Sequence, residues 1–211
     1  MIKEPKILLN NLRKIDNLLD KVQKEDDVEN IYIENYQNQN IDVMDITIRK
    51  SLINNIEVIS SNLEKNTFMD VKFSNCNFSN TLFDNCSFIR CEFNDCKLTG
   101  CNFIESRLCD ISFKDTNMNY ANLSMVGIKD TLFKNVGLRN SNFQENKIKN
   151  LVFKNVDLTQ SQFFKTSLNG IDFSDSIIEG ISVSINDIKG SIINQFQAVD
   201  LLYLLGVKIK I

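Results

Sequence analysis

Six cysteines and 27 carboxylates are the residues of this chain that could do chemistry, and the sequence contains no histidine. Five cysteines follow one another at intervals of five or ten residues, a regularity that raises the question of disulfides or a metal site. They are Cys76, Cys86, Cys91, Cys96 and Cys101. Without histidine a mixed zinc site lacks half its ligands, and the usual general base is missing. No nucleophile–base pair, glycine-rich phosphate loop or metal-ligand cluster stands out, so we predict a non-enzymatic protein without a cofactor.

The cysteine spacing is part of a five-residue repeat that covers residues 61–195. Every fifth residue from Leu63 to Ile193 is apolar, and thirteen of the fifteen phenylalanines lie in this column. Neither the helix period of 3.6 nor the strand period of 2 generates such a column, so the pattern indicates a repeat architecture. The predicted core includes Phe73, Phe83, Phe93, Phe103, Phe113, Phe133, Phe143, Phe153, Phe163 and Phe173.

A second column, two residues before each of these centres, is never charged between residues 61 and 195. Two inward residues separated by one outward residue form an extended piece, and the two outward residues that follow require a corner. Stacked coils of this kind pair their backbones as parallel strands. The pattern therefore predicts an all-β solenoid with a dry interior. The five regularly spaced cysteines fall in the inward column, which favours buried thiols over metal ligands. Cys109 falls in an outward column and is the predicted reactive thiol.

Several quintets resemble the motif of the pentapeptide-repeat proteins, which is a small residue, Asn or Asp, Leu or Phe, and two further residues. Examples are Cys-Asn-Phe-Ser-Asn at 76–80, Ala-Asn-Leu-Ser-Met at 121–125 and Ser-Asn-Phe-Gln-Glu at 141–145. The resemblance implies a right-handed quadrilateral β-helix with four quintets per coil. The period alone leaves three or four sides open. Phenylalanine recurs every ten residues from Phe73 to Phe113 and from Phe133 to Phe173, which favours an even number.

The chain divides into four parts on the sequence pattern. Residues 1–24 are predicted to form an N-terminal capping helix, with partner binding as the alternative, because apolar residues follow a helical stripe. These are Ile7, Leu8, Leu12, Ile15, Leu19 and Val22. Residues 25–40 are either a linker or a degenerate first coil, and residues 41–195 form the β-helix. Residues 196–211 are predicted to form a C-terminal helix and strand.

The predicted C-terminal helix runs from Phe196 to Leu205, ends at Gly206 and is followed by a strand from Val207 to Ile211. It is apolar nearly all round, so packing on the solenoid end would leave one apolar side exposed. We therefore expect a cap that is also a two-fold dimer contact. The segment is similar to that of pentapeptide-repeat proteins of the quinolone-resistance type, whose C-terminal helix joins two rods end to end. The candidate contact residues are Phe196, Val199, Leu202 and Tyr203.

Charge and hydropathy indicate which partners to expect. The net charge of −3 gives no basic surplus for direct nucleic-acid binding. The sequence has no apolar run of 18 residues and no signal-peptide pattern, so we expect a cytoplasmic protein without a membrane partner.

Sorting the outward residues onto four walls separates the charges. One wall has a net charge of −4, and the next along the chain has +4. The acidic wall also carries outward apolar residues, a mixture found at protein interfaces, although single exposed apolar residues are also ordinary scatter. The candidate partner-binding residues are Asp84, Ile104, Glu105, Met125, Glu145 and Phe164.

Three asparagines, Asn66, Asn146 and Asn186, are the only bulky polar residues of the inward column, and all fall on one wall. Buried polar groups need hydrogen-bond partners, so we expect a ladder through Asn146, Thr166 and Asn186 in successive coils.

Two functions follow for the whole chain. The resemblance to quinolone-resistance proteins implies a rod that mimics DNA and binds DNA gyrase or topoisomerase IV, protecting the enzyme from quinolones or toxins. The alternative is a scaffold for another protein partner with no topoisomerase role, because a fold does not dictate a function.

Overall fold

The computed structural model describes residues 2–207. They form a parallel β-solenoid of about seven turns with a few short helices, which confirms the predicted fold class. The helices are α1 (Leu18–Val22), α2 (Ile185–Ile188) and α3 (Gln197–Leu201), with 3-10 turns at Leu9–Asn11 and Leu202–Leu205. The strands are β1 (Arg13–Lys14), β2 (Asp27–Glu29), β3 (Ile31–Glu34), β4 (Gln37–Gln39), β5 (Thr47–Asn54), β6 (Glu57–Ile59), β7 (Thr67–Ser74), β8 (Ser87–Asn94), β9 (Arg107–Lys114), β10 (Gly127–Lys134) and β11 (Lys147–Lys154).

The strand register fixes the number of sides. Strands β1, β3, β5, β7, β8, β9, β10 and β11 lie side by side in one parallel sheet, in that order. From β3 onward paired residues are twenty apart, as in Phe68 with Phe88 and Phe113 with Phe133. Twenty residues are four quintets, so each coil has four sides, as the resemblance implied.

Phenylalanine rings stack along the axis of the solenoid. The ten predicted core phenylalanines are all buried. On one wall, the ring centroids of Phe93 and Phe113 are 5.0 Å apart, and those of Phe113 and Phe133 are 4.9 Å apart. Phe143 and Phe163 stack at 5.0 Å on the opposite wall. Offset stacking of this kind adds to the free energy gained by burying the rings.

The corners of the coil require a left-handed backbone. Every fifth residue from Asn30 to Gly170 has a positive φ. Asparagine, aspartate and glycine adopt this conformation at lower cost than other residues, and they fill most of the column. Gly100 (φ 68°) is a corner without room for a side chain, because an added Cβ would lie 2.5 Å from the side-chain oxygen of Asn80. By contrast, Gly127 and Gly137 lie outside the corner column and have no positive φ.

The N-terminal helix predicted for residues 1–24 is wrong for most of its length. Within the described residues, only Leu18–Val22 is α-helical, and Asn17 caps it by accepting the amide N–H of Asp20. Strand β1 instead pairs with Ile31 and Tyr32. The physical reason is the open strand edge of the first coil, whose backbone groups need partners that a helix does not supply.

Residues 25–40 contain the first coil and not a linker. They form β2, β3 and β4, and Val28 and Ile33 are buried in line with the later centres. The next centre position is Asn38, whose side-chain amide donates to the hydroxyl of Tyr36 at 3.0 Å. Because Asn38 is polar, it interrupts the column of apolar centres, and this column is continuous only after residue 41.

Residues 2–8 lie along the outside of the large sheet and are called the strap below. The amide N–H of Lys3 donates to Asp110 Oδ1 at 3.1 Å, and that of Lys6 donates to Asp70 Oδ1 at 2.9 Å. Asp70 and Asp110 are two coils apart, about 10 Å, which is the length of three extended residues. The strap therefore runs along the rod axis in extended form. Beside it Cys109 is buried, so its prediction as a reactive surface thiol is wrong.

Asp70 and Arg90 form the best-packed ion pair under the strap. Arg90 donates Nε to Asp70 Oδ1 at 2.6 Å and Nη2 to Oδ2 at 2.7 Å. Burial alone would raise the pKa of Asp70, but hydrogen bonds from Arg90 and from the Lys6 amide outweigh it and leave this pKa below its ordinary value.

The C-terminal end closes the solenoid with helical turns. The helix predicted from Phe196 to Leu205 is α3 followed by a 3-10 turn, and Gly206 ends it with φ 68°. Gln197, the first residue of α3, is buried, and its side-chain nitrogen donates to the carbonyl oxygens of Phe173 and Ser176 at 2.7 and 2.6 Å. Most of the strand predicted for residues 207–211 lies outside the described residues. No helix of the described chain is both long and apolar enough to cross a membrane.

Candidate protein-binding wall

The coil register brings the predicted partner-binding residues onto one wall, called the acidic wall below. They directly follow the buried centres of successive coils, and backbone bridges between those coils fix their alignment. Glu105, Met125 and Glu145 form one row of corner residues, spaced by about 4.8 Å per coil. Asp84, Ile104 and Phe164 belong to the neighbouring row, one residue earlier in each quintet.

Asp84 has the most perturbed carboxylate of this wall. It is half-buried, and its Oδ1 accepts the amide N–H of Ile104 at 2.9 Å. Burial is the main reason that the pKa of Asp84 is raised; the amide hydrogen bond opposes the shift, and the charges of Glu64 and Glu105 add to it. Glu64 was not among the predicted site residues, although it lies in the same row and contributes to this field.

The acidic wall also mixes charged with apolar side chains. Met125 is 46% exposed and Phe164 is 43% exposed, whereas Ile104 is half-buried. Glu145 is partly neutralised because Lys165 Nζ lies 2.8 Å from its Oε1, and this hydrogen bond raises the pKa of Lys165. Glu105, by contrast, forms no ion pair among the described residues.

The predicted dimer contact is exposed except at one position. Phe196, Val199 and Tyr203 are each about half exposed or more, and Leu202 is half-buried. The Tyr203 hydroxyl donates to the carbonyl oxygen of Ile181 at 2.5 Å, which fixes this side chain on the last coils.

The cysteines have no arrangement for chemistry. In the described residues all six are free and buried. Cys101 donates its thiol to the carbonyl oxygen of Phe78 at 2.9 Å, and Cys86 donates to that of Leu63 at 3.0 Å. Burial raises the pKa of Cys86, Cys91 and Cys101 to about 12, so these thiols stay protonated at neutral pH. Residues 2–207 contain no cluster of three or more potential metal ligands.

A parallel solenoid with four quintets per coil defines a class of repeat proteins. Residues 66–143 match the family model described as a pentapeptide repeat region. This part of the chain therefore matches the pentapeptide-repeat family, as the resemblance of its quintets indicated.

Several solved structures are similar to the chain. One is a trypsin-treated variant of QnrB1, a plasmid-mediated fluoroquinolone resistance protein, with 20% identity, 93% of this chain and 94% of that chain covered, and a TM-score of 0.43. Full-length QnrB1 has 19% identity, covers 93% and 96% of the two chains, and gives 0.42. HetL from Nostoc sp. strain PCC 7120, involved in heterocyst differentiation regulation, has 12% identity, 84% and 92% coverage and 0.34. No curated protein matches the chain.

Proposed function

We propose that this chain is a non-enzymatic protein-binding rod that uses its acidic wall to bind a type II topoisomerase such as DNA gyrase in the cytoplasm. In this proposal the wall takes the place of DNA and protects the enzyme from quinolones or toxins. The observation that carries it is the aligned row of Glu105, Met125 and Glu145 beside Asp84. A groove that binds DNA presents cations to such a row of carboxylates.

The overall charge limits the kind of mimicry. A DNA duplex as long as the rod, ~37 Å, would carry ~22 negative charges. Residues 61–195 hold 15 acidic and 14 basic residues, so the rod as a whole is nearly neutral. Mimicry therefore depends on the shape of the rod and on this one wall.

A scaffold for a different protein is the second candidate function. The exposed Met125 and Phe164 favour it, because duplex DNA presents no apolar side chains along its backbone. A partner surface with apolar pockets between cationic side chains would match the mixed rows of this wall.

The acidic wall is tested in a gyrase supercoiling assay with and without ciprofloxacin. We expect the double variant Glu105→Lys, Glu145→Lys to lose inhibition or protection by at least about tenfold, since several charge pairs would be reversed. Lysine is tolerated at these corners, because Lys65 and Lys165 occupy the same row with φ 59° and 57°. Asp84 is left in place, since it holds the Ile104 amide.

The matched control is Asp95→Lys with Glu179→Lys, two exposed acidic residues on other walls and an equal change in charge. It should retain the activity of the unmodified protein. An equal loss in both variants would show that the binding face lies elsewhere. If the unmodified protein neither inhibits gyrase nor rescues it at micromolar concentration, the topoisomerase role is rejected and the scaffold function stands.

We also propose that the C-terminal turns join two rods. Phe196→Asp with Val199→Asp should convert a dimer into a monomer in sedimentation equilibrium, because both exposed apolar side chains would become charged at the contact. The circular dichroism spectrum should not change. Leu9→Asp, a similarly exposed leucine at the other end, serves as the control and should leave the mass unaltered. A monomeric unmodified protein, or a dimer that survives the double change, would exclude this contact.

A further inference from the structure

Three adjacent strands of the large sheet carry an unusual concentration of cations. The outer face of β9, β10 and β11 holds seven basic residues against two acidic ones, Asp110 and Asp130. Six of the seven are exposed and Lys114 is half-buried. This set is called the basic face and consists of Arg107, Lys114, Lys129, Lys134, Lys147, Lys149 and Lys154.

Like charges of the basic face are stacked in register. Lys134 pairs with Lys114 on one side and with Lys154 on the other, which gives a column of three lysines. Lys129 pairs with Lys149 in the same way. Adjacent strands lie about 4.8 Å apart, so these side chains repel one another unless an anion lies between them.

The first half of the same sheet avoids this repulsion by alternating charge between coils. There, Asp27 pairs with Arg49, Glu29 with Lys50, Asp70 with Arg90 and Lys72 with Glu92. Among residues 2–207, none of the seven cations of the basic face forms an ion pair. The sheet thus neutralises its charges internally at one end and leaves an uncompensated cluster at the other.

The two carboxylates of the basic face already have hydrogen-bond donors of their own. Asp110 accepts the Lys3 amide of the strap, and Asp130 accepts the side-chain amide of Asn150 at 2.7 Å. Both lie at the corner that separates the column of Lys129 and Lys149 from the column of Lys134 and Lys154. They therefore mark an edge with cations on either side.

We propose that the basic face binds an acidic, extended segment of a partner protein, at a site separate from the acidic wall. The column of Lys129 and Lys149 lies on one side of the corner, and the column with Lys134 lies on the other. A segment lying along this corner would place its carboxylates beside both columns of lysines. Three strands span about 10 Å between the outer two, a distance that three extended residues cover.

The strap shows that extended chain is accommodated along this sheet. Its Lys3 and Lys6 amides bind corner carboxylates two coils apart, and Ile2, Lys3 and Glu4 line a small cleft together with Ser112, Lys114 and Leu132. A partner segment of similar direction and length would continue this path over β10 and β11.

The size of the basic face favours a short peptide over a long polyanion. The whole chain has a net charge of −3 while this face has +5, so the remainder carries −8. One turn of duplex DNA spans ~34 Å, which is longer than the three coils of the basic face. A duplex or a membrane surface would therefore also contact the remainder of the chain, which is acidic. A peptide of a few residues meets only the cations.

Fluorescence anisotropy with the full chain tests the proposal. The probe is a fluorescein-labelled twelve-residue peptide of alternating Glu and Ser, and the same peptide with Gln for Glu is its control. We expect saturable binding of the Glu peptide that weakens as salt is raised. The variant Lys129→Glu, Lys134→Glu, Lys149→Glu should weaken it at least about tenfold. The control variant carries the same change of charge outside the basic face, Lys24→Glu, Lys65→Glu, Lys97→Glu, and should alter the affinity for the Glu peptide less than about twofold.

Three results would overturn the proposal. The first is equal binding of the Glu and Gln peptides, and the second is an equal loss in both triple variants. The third is tighter binding, through the same lysines, to a 30-base-pair duplex or to vesicles with anionic headgroups, which would assign the basic face to that ligand instead. Circular dichroism of both triple variants separates lost binding from lost fold.

Discussion

Phe113→Ala is expected to lower the free energy of unfolding by about 3–5 kcal/mol. The Phe113 ring is fully buried and stacked between Phe93 and Phe133, with centroids 5.0 and 4.9 Å away. Removing it deletes two stacking contacts and leaves a cavity on the axis. The cavity cannot collapse easily, because backbone pairing of β9 with β8 and β10 fixes the rise between coils.

Urea denaturation followed by circular dichroism measures this loss. The control is Leu9→Ala, because this side chain is 70% exposed and its removal should change stability by less than about 0.5 kcal/mol. A cost for Phe113→Ala below about 1 kcal/mol would mean that the coils close around the missing ring. The stacked axis would then contribute less than its burial indicates.

The repeat itself could be predicted because one residue type dominates one column. Thirteen phenylalanines at a spacing of five leave no other period, and their burial follows from the hydrophobic effect alone. The corner conformation is also encoded, since Asn, Asp and Gly occupy most of the positions at every fifth residue after Asn30. The sequence pattern predicts a corner at this column, but the requirement for two outward residues does not specify a left-handed backbone there.

The chain ends could not be predicted from periodicity. The apolar stripe of residues 7–22 fits a helix, but the strand edge of the first coil binds β1 and the outer sheet binds the strap. Both interactions use backbone amides, which leave no trace in side-chain pattern. The same limit applies to Cys109, whose burial depends on surroundings distant in sequence.

The residues of the acidic wall could be predicted from their positions in the repeat, whereas the contacts of its charged side chains could not. Assigning residues to walls needs only the coil length of twenty. The contact of Lys165 with Glu145, and that of the Ile104 amide with Asp84, depend on side-chain geometry between coils. Only the structure shows which carboxylates remain free for a partner.

Asn66 and Asn146 are hydrogen-bonded to the backbone, and the predicted ladder through three coils does not form. Asn66 is fully satisfied: its Oδ1 accepts the Ile46 amide at 2.9 Å, and its Nδ2 donates to the carbonyl oxygens of Val43 and Leu63. Asn146 accepts the Val126 amide at 2.7 Å, but its side-chain nitrogen has no partner among the described residues. Asn186 is exposed, so only Asn146 and Thr166 are linked.

Asn66→Ala is therefore expected to lower the free energy of unfolding by about 3 kcal/mol, because it removes the partner of the buried Ile46 amide and of the Val43 carbonyl oxygen, and leaves the Leu63 carbonyl oxygen with the Cys86 thiol alone. At the equivalent position four coils later, Asn146→Thr should instead raise it by about 1 kcal/mol. Its hydroxyl would accept the Val126 amide and donate to a carbonyl oxygen, as Thr166 does to that of Phe143 at 2.6 Å. The change also removes the unpaired side-chain nitrogen.

Thermal unfolding distinguishes these two asparagines. For a chain of this size, 1 kcal/mol corresponds to about 2–4 °C in Tm. Asn66→Thr provides the matched comparison, because it makes the same replacement where the amide group has all its partners, and it should lower Tm. Opposite signs for the two threonine variants would show that hydrogen-bond satisfaction, and not amide volume, sets the stability at these sites. A fall in Tm for both would mean that the Asn146 nitrogen has a partner after all.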